Sequence, residues 1–461
     1  MPTFWTDIYA GKRLLRATPN LHMLFIALQV LRSGSCPLSV VATDIAELEQ
    51  LDYVDSTPRT FAQMLVDNIH RIQSLEIQTQ SLADVTFLRT RHAAQLETLV
   101  IRYNCDRPLA YGPPLTGMQM PRLQTLMISN YPTYPTGPFN RLRHLILRAE
   151  KNHSVLSDAK GLFALLSANA GWLEDLVIDD WSPELDNNDR LLAPAGKLLS
   201  GEEFPIHMTA LKHLCAKVPS KIVQLLEAAF VMPNCARSYF CSRYGPLAVV
   251  ADSNAFPISH LCIRDRVIMA TNGRAALRVT CHTSQQSSLP MSFAKRGARE
   301  LWICFRSRRR EPVGLDFAKA IFNEMVGVEK LVIENYVPWW LEVIAKYNAF
   351  PALNELQLHF QAHGSNPQPS YILKFLEDRK QDGRAINSIT LRFPHHIWCF
   401  PSELAPFESA IDHFRAVVEH VVYEYVPRHS EMPQMELPSV CFTRSSVHAF
   451  WVSWNIPDPE K

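Results

Sequence analysis

Glycine is scarce in this 461-residue chain, which has 16 glycines against 32 prolines. Loops that cradle phosphate groups depend on glycine, because a residue without a Cβ lets the backbone approach the ligand closely. The sequence has no P-loop and no dinucleotide-binding glycine fingerprint. We therefore expect no nucleotide cofactor. The many prolines predict short elements joined by stiff connections.

The sequence also lacks an excess of positive charge, since 46 basic residues face 45 acidic ones and the formal net charge is +1. Proteins that bind phosphate backbones or anionic lipid surfaces carry a basic field, so we expect neither a nucleic acid nor a membrane as a partner. The longest apolar run, residues 21–31, is interrupted by His22 and Gln29. It is too short for a bilayer span, which takes about 20 apolar residues.

Motifs of catalysis and metal binding are missing from the sequence as well. There is no CxxC pair, no HExxH helix and no GxSxG elbow. Cys215, Cys262 and Cys304 stand in apolar runs, where cysteine acts as a small hydrophobic residue, and this favours a reducing compartment, the cytoplasm or the nucleus. We expect no metal site, no cofactor and no catalytic residues. An enzyme with dispersed catalytic residues is the alternative.

One phrase dominates what the sequence does contain. The pattern L-x-x-L-x-L, with other apolar residues allowed, occurs eleven times, and its fourth position is leucine in every case except Ile389. Apolar residues at the fourth and sixth positions have the period of two that is typical of a β-strand. The phrases begin at Ile72, Leu96, Leu123, Leu142, Leu173, Leu211, Ile258, Ala298, Val328, Leu353 and Ile386.

Segments with helical spacing of apolar residues lie between the phrases, at 161–170, 221–231, 315–326, 339–348 and 371–380. A strand followed by a helix, repeated, predicts parallel strands joined by right-handed crossovers. Stacked units of this kind form a curved arc with the strands on one side and the helices on the outer face. We therefore predict an α/β solenoid with irregular repeats. A doubly wound open sheet is the structural alternative.

The phrases resemble leucine-rich repeats, and LETLVIRYN, which ends at Asn104, matches the longer form of that repeat. The start of the chain carries a second resemblance. MPTFWTDIYAG, with Pro2 and Trp5, is similar to the end of the F-box in F-box-like proteins of mushroom-forming fungi. Phe4 departs from the leucine that is usual there. The segments RSG at 32–34 and PL at 37–38 resemble the beginning of the repeat region in the same proteins.

The F-box resemblance implies a substrate receptor of a cullin-RING ubiquitin ligase. Such receptors dock on a Skp-type adaptor through a helical F-box, whose leucine-proline start would lie upstream of Met1. The resemblance therefore implies a Skp-type partner only if an F-box is restored upstream. A ligase-independent interaction scaffold is the alternative. Either reading makes the chain a protein-binding molecule and assigns it no catalysis.

Three regions follow from these patterns. Residues 1–35 are predicted to be a helical remnant that follows the F-box, together with an N-terminal cap. Residues 36–400 form the predicted solenoid. Residues 401–461 are predicted to be a C-terminal helical cap and tail, in which 404–425 reads as one long helix that stops at Pro427.

A binding surface can be predicted from the phrase positions. The third, fifth and seventh positions point away from the leucine core and towards the concave face of the arc, where we expect a protein substrate to bind. The fifth positions are mostly apolar and the seventh mostly charged, which is typical of a protein-binding patch. Trp302 is the foremost candidate, and its alternative role is ordinary core. The predicted contacts are Val100, Arg102, Met127, Ile146, Arg148, Val177, Asp179, Arg264, Trp302, Val332 and Glu334.

Overall fold

The structure is a computed structural model of the chain. The residues that it describes are 6–10, 19–43, 61–80, 85, 88, 91–103, 119–130, 139, 141–149, 159–180, 205–218, 220–241, 258–264, 267–281, 297–304, 322, 325–334, 336, 338–360, 368–394, 401–426 and 435–442. The chain divides into two compact units. Unit 1 comprises Met1–Cys235 and Thr443–Lys461, and unit 2 comprises Ala236–Phe442.

Unit 1 contains a sheet of eight strands that pair with their neighbours in chain order, all in parallel. These strands are β1 (Asp7–Ala10), β2 (Leu38–Thr43), β3 (Ile72–Thr79), β4 (Thr98–Tyr103), β5 (Thr125–Ser129), β6 (His144–Ala149), β7 (Asp175–Asp180) and β9 (His213–Lys217). A small separate sheet pairs β8 (Ile206–His207) with β10 (Phe230–Val231). The helices are α1 (Pro19–Arg32), α2 (Phe61–Asn68), α3 (Ala159–Ala168) and α4 (Ser220–Ala229).

Unit 2 has a sheet of nine strands in the spatial order β11, β14, β13, β12, β15, β16, β17, β18, β19. They are β11 (Ala236–Cys241), β12 (His260–Arg264), β13 (Val267–Thr271), β14 (Ala276–Cys281), β15 (Glu300–Cys304), β16 (Lys330–Glu334), β17 (Glu355–His359), β18 (Ser388–Pro394) and β19 (His420–Val426). Among these nine strands that the structure describes, β13 alone runs antiparallel to its two neighbours. The helices are α5 (Trp339–Lys346), α6 (Pro369–Gln381), α7 (Pro401–Ser409) and α8 (Ile411–Val417).

All eleven phrases form strands, which confirms a mixed α/β fold with mostly parallel strands. The parallel registers align the fourth positions, so that leucine pairs with leucine from strand to strand. These side chains are at most 2% exposed and form the core of each sheet. The aligned residues are Leu75, Leu99, Leu126, Leu145, Leu176 and Leu214 in unit 1, and Leu261, Leu301, Leu331, Leu356 and Ile389 in unit 2.

Four of the five predicted helices lie within two residues of α3, α4, α5 and α6. Most of the fifth, predicted at 315–326, lies outside the described residues. Asn104, which completed the longer repeat form, is also outside them.

The prediction of one long helix over 404–425 is wrong. Two short helices, α7 and α8, occupy the first part, and the strand β19 follows. Pro406 lies inside α7, where it cannot donate a helical hydrogen bond. The sequence of β19, HVVYEYV, is rich in β-branched and aromatic residues, which favour strands. Because β19 pairs in register with β18, pairing and propensity agree.

The N-terminal remnant is only partly helical. Helix α1 spans most of its second half, but Asp7–Ala10 is a strand that pairs in parallel with β2. Ile8 aligns with Val40, and Val40 in turn aligns with Leu75, so Ile8 takes the position that the leucines take in the phrases. Ile8 is buried accordingly. Pro2 and Trp5, which carried the F-box resemblance, lie outside the described residues.

Candidate binding face

The third, fifth and seventh phrase positions lie on the side of each sheet opposite the leucines, because side chains alternate along a strand. Parallel pairing in register collects equivalent positions into rows that cross the strands. We call these the first row (third positions), the middle row (fifth positions) and the last row (seventh positions). Together they form the rowed face of each unit.

The middle row of unit 1 brings together the apolar residues that the sequence predicted. Val100, Met127, Ile146 and Val177 align across β4 to β7, and Cys215 follows on β9. Val100 is half-buried, whereas the other four are only 2–6% exposed. Their burial means that Met127, Ile146 and Val177 support the rowed face more than they offer open contact area.

In unit 2 the middle row places Trp302 between Cys262 and Val332. Trp302 is 4% exposed and Val332 fully buried. The indole N–H of Trp302 donates to the Glu300 carboxylate over 2.5 Å, and its ring packs at a steep angle against the ring of His359, with the ring centroids 5.8 Å apart. Burial and a satisfied indole favour the alternative role of Trp302 as part of the core, and they argue against it as an open hot spot.

The last row of unit 1 is charged and partly accessible. Arg102 pairs with Glu76 at 3.1 Å. Asp179 lies between two cations, with Arg148 at 3.7 Å and Lys217 at 3.4 Å. The side chains of the three cations are 38–42% exposed. Exposed pairs of this kind add little stability, about 0–1 kcal/mol each, so their charges can be exchanged for those of a partner at small cost.

The last row of unit 2 is charged but much less accessible. Arg264 donates to Glu334 over 2.9 Å, and both side chains are close to nine-tenths buried. Burial is the largest single influence on Arg264 and lowers its pKa, but attraction to Glu334, Cys304 and Cys262 together outweighs burial and raises the pKa of the guanidinium. Arg392 donates to Gln357 and to Nε2 of His359, over 2.8 and 3.0 Å, and pairs with Glu424.

His359 is a strongly perturbed titratable group of the rowed face. It is 1% exposed, and burial, followed by the charges of Arg392 and Lys330, lowers its pKa to about 3. His359 is therefore neutral near pH 7. Its Nε2 accepts from Arg392, so the other ring nitrogen, Nδ1, carries the proton.

The sequence placed the third positions on this face, but no residue of the first row was among the predicted contacts. In unit 1, the Asp175 carboxylate accepts from Nδ1 of His144 at 2.5 Å and from Nδ1 of His213. In unit 2, Lys330 lies 3.2 Å from Glu300 and 3.9 Å from Glu355. The signal was available, because Glu300, Lys330 and Glu355 stand at the third position of successive phrases with alternating charge.

The rowed faces carry no cluster suited to a metal among the described residues, where no group of three or more His, Cys, Asp or Glu side chains could hold an ion. Cys262 and Cys304 face each other with their sulfur atoms 3.7 Å apart. Burial raises the pKa of the Cys304 thiol well above its ordinary value, which makes the thiol a poor nucleophile. Within the described residues, no helix is long and apolar enough to cross a membrane.

Comparison with known proteins identifies no family for the chain. No protein-family model matches it, and a search of curated proteins finds no significant similarity. The function therefore has to be argued from the geometry of the two units.

Proposed function

We propose that the chain is a protein-binding module whose units are curved, leucine-rich-repeat-like arrays. In this proposal the leucine side of each sheet is structural and the rowed face binds a protein partner. The single observation that supports it is the register of the phrase strands, which gathers equivalent positions of successive phrases into rows. Rows that cross many strands suit an extended protein partner. We assign the chain no catalytic role and no cofactor.

The accessible charges of unit 1 are the best candidates for direct contact. Arg102, Arg148 and Asp179 were predicted contacts, and their side chains remain partly exposed. The half-buried Val100 lies in the adjoining middle row. The other predicted contacts are buried and would support the exposed residues of the rowed faces without touching the partner directly. They are Met127, Ile146 and Val177 of unit 1 and Arg264, Trp302, Val332 and Glu334 of unit 2. Charged groups of this kind set specificity and association rate more than affinity.

A substrate receptor for a ubiquitin ligase is the specific form of this proposal, and it rests on the F-box resemblance. A Skp-type adaptor would join only through an F-box upstream of Met1. A ligase-independent scaffold is the second candidate, favoured by the strand at Asp7–Ala10, where the end of the F-box was read. The thiol state of Cys262 and Cys304 fits a reducing compartment, and we propose the cytoplasm or the nucleus.

Affinity capture with charge-reversed variants tests the proposal. Arg102→Glu with Arg148→Glu alters the last row of unit 1. Arg143→Glu with Lys212→Glu is a matched control, since it reverses two cations that are 52% and 56% exposed and stand at second positions, off the rowed face. A partner that binds the native chain and the control, but not the first variant, is the expected result. Equal capture by all three chains, or no specific partner for any, contradicts it.

The same captures separate the two forms of the proposal. A Skp-type adaptor and a cullin recovered with an upstream-extended chain, but not with residues 1–461 alone, favour the ligase receptor. Their absence from both captures, while the charge-sensitive partner remains, favours the scaffold.

A further inference from the structure

Helix α1 is apolar on two opposite sides. Ile26 is 1% exposed and packs into unit 1, as the core-facing side of a surface helix should. The opposite side is also apolar, and its large side chains are open to solvent. Leu24 is 57% exposed, Phe25 50%, Leu28 40% and Leu31 76%. A helix that is apolar all round is normally covered on both sides, and none of the residues that the structure describes covers this face.

The spacing of the open side is that of a helix–helix seam. Leu24, Leu28 and Leu31 follow one another at intervals of four and three residues, and Leu21 continues the sequence pattern three residues before Leu24. Intervals of three and four place leucines at the a and d positions of a heptad, where each packs into a gap between four residues of a facing helix. The seam therefore fits another helix that carries the same spacing.

The charge of the segment favours a second copy of the helix. Between Pro19 and Arg32 the sequence has no aspartate, glutamate or lysine, and the only arginine is Arg32 at the end. Two copies can meet along the seam without a row of like charges facing each other. A twofold contact also needs a self-complementary patch, and a leucine seam packs against its own copy.

The exposed area sets the strength of such a contact. The exposed surface of these four residues together equals that of about two fully exposed side chains. At roughly 150–200 Å² for each large apolar side chain, two copies would remove roughly 600–900 Å² from water. Stable complexes bury about 1,200–2,000 Å². The area suits a reversible, concentration-dependent dimer, and it is too small for a permanent one.

We infer that the Leu24, Phe25, Leu28 and Leu31 face of α1 is a self-association surface, through which two copies of the chain form a weak dimer. The face lies on the helix surface and does not involve the rows proposed to bind a partner. Self-association would thus present the rowed faces of two chains on one particle. If these faces bind a partner as proposed above, the dimer would have a higher avidity for a partner with two binding sites.

Sedimentation velocity of the full chain from about 2 to about 200 µM tests the inference, because mass action makes a weak dimer depend on concentration. The native chain should move from monomer towards dimer over this range. Leu24→Glu with Leu31→Glu should remain monomeric. These side chains are already exposed, so the variant should fold, and circular dichroism melting checks this. Val326→Glu with Phe442→Glu, at positions 60% and 51% exposed elsewhere, is the matched control and should dimerise like the native chain.

Two outcomes overturn the inference. One is a native chain that stays monomeric at the highest concentration. In that case we would test whether the chain floats with vesicles of phosphatidylcholine and phosphatidylserine. Flotation of the native chain, but not of Leu24→Glu with Leu31→Glu, would assign the face to a lipid surface instead. The other is dimerisation that the Leu24 and Leu31 substitutions leave unchanged.

Discussion

At the scale of single residues, two buried arginines hold the ends of helices. Arg71, which is 9% exposed, donates to the carbonyls of Val30 and Cys36 over 3.0 and 3.1 Å, and to the hydroxyl of Ser33 over 2.9 Å. It thereby satisfies acceptors at the carboxyl end of α1. Arg379 does the same beyond α5, where it donates to the carbonyls of Ala349 and Phe350.

Replacing Arg71 with methionine should destabilise unit 1 by about 2–4 kcal/mol, because it removes the charged donor to the Ser33 hydroxyl and to the part-buried carbonyls of Val30 and Cys36. Arg71→Lys should recover only part of this loss, since an ammonium cannot reach the same set of acceptors. Urea unfolding followed by circular dichroism measures both variants. Arg143→Met, at an arginine whose side chain is 52% exposed, is the control and should change stability by less than about 0.5 kcal/mol.

The aligned leucines should carry much of the stability of each sheet. Leu331→Ala, at a fully buried position, is expected to cost about 2–5 kcal/mol. Val422→Ala, at a position 40% exposed, should cost far less. The midpoints of urea unfolding measure the loss of stability in both variants. A similar loss of stability for both substitutions would show that the aligned leucines are not the core.

His359 predicts how stability depends on pH. Its pKa is lowered to about 3 in the folded chain, against about 6.5 for an unfolded histidine. The unfolded state therefore binds the proton first as pH falls, and stability that is present above about pH 6.5 is lost progressively towards pH 3. Between pH 7 and pH 5, the native chain should lose about 2 kcal/mol more than His359→Gln. Urea unfolding at the two pH values measures this, and equal losses would contradict it.

At the scale of elements, the phrase predicted strands well because it records pairing as well as propensity. The fourth position pairs with its equivalents on both neighbouring strands, so it is confined to leucine or isoleucine. Strands that depart from the phrase were not predicted. β13 and β14 form a hairpin whose loop is 272–275, in which the N–H of Asn272 donates to the carbonyl of Ala275 and Gly273 adopts a positive φ of 83°. A short loop that contains glycine between two apolar runs is a common hairpin signal and could have located this turn.

The rowed face was only half predictable. Alternation along a strand sets which side chains share a side, so the rows could be read from the sequence. The exposed fraction of each side chain depends on the size of the side chains beside it. The spacing of residues along the sequence does not determine that fraction. Trp302 and Val332 are buried for that reason, while Arg102 keeps an exposed end.

The strand β19 gives a prediction of its own at this scale. Residues 420–426 should show Cα and Cβ chemical shifts typical of a strand, whereas 411–417 should show helical shifts. Deuterated, backbone-assigned protein is sufficient for the measurement. Helical shifts across the whole of 404–425 would restore the single helix that the apolar spacing first suggested. The segment V-E-H-V-V-Y from Val418 is a degenerate copy outside the eleven phrases, with Val421 in place of the fourth-position leucine, and this also favours the strand.

At the scale of the whole molecule, the two sides of each sheet have different roles in the proposed function. The leucine side of the sheet is buried, and the opposite side carries rows of paired charges. The units differ in how far these charges are open. Arg102 and Arg148 of unit 1 keep about two-fifths of their side chains exposed, whereas Arg264 of unit 2 keeps 12%. Unit 1 is therefore where we expect a partner to make its first contact.

Hydrogen exchange with the captured partner tests the central claim most directly. On binding, amides at the carboxyl ends of β4, β6 and β7, where Arg102, Arg148 and Asp179 stand, should exchange more slowly. The helices α3 and α4 of the same unit should be unaffected. Protection at these strand ends, lost in Arg102→Glu with Arg148→Glu, is the result that the account predicts. Protection confined to the helices, with the strand ends unchanged, would contradict it.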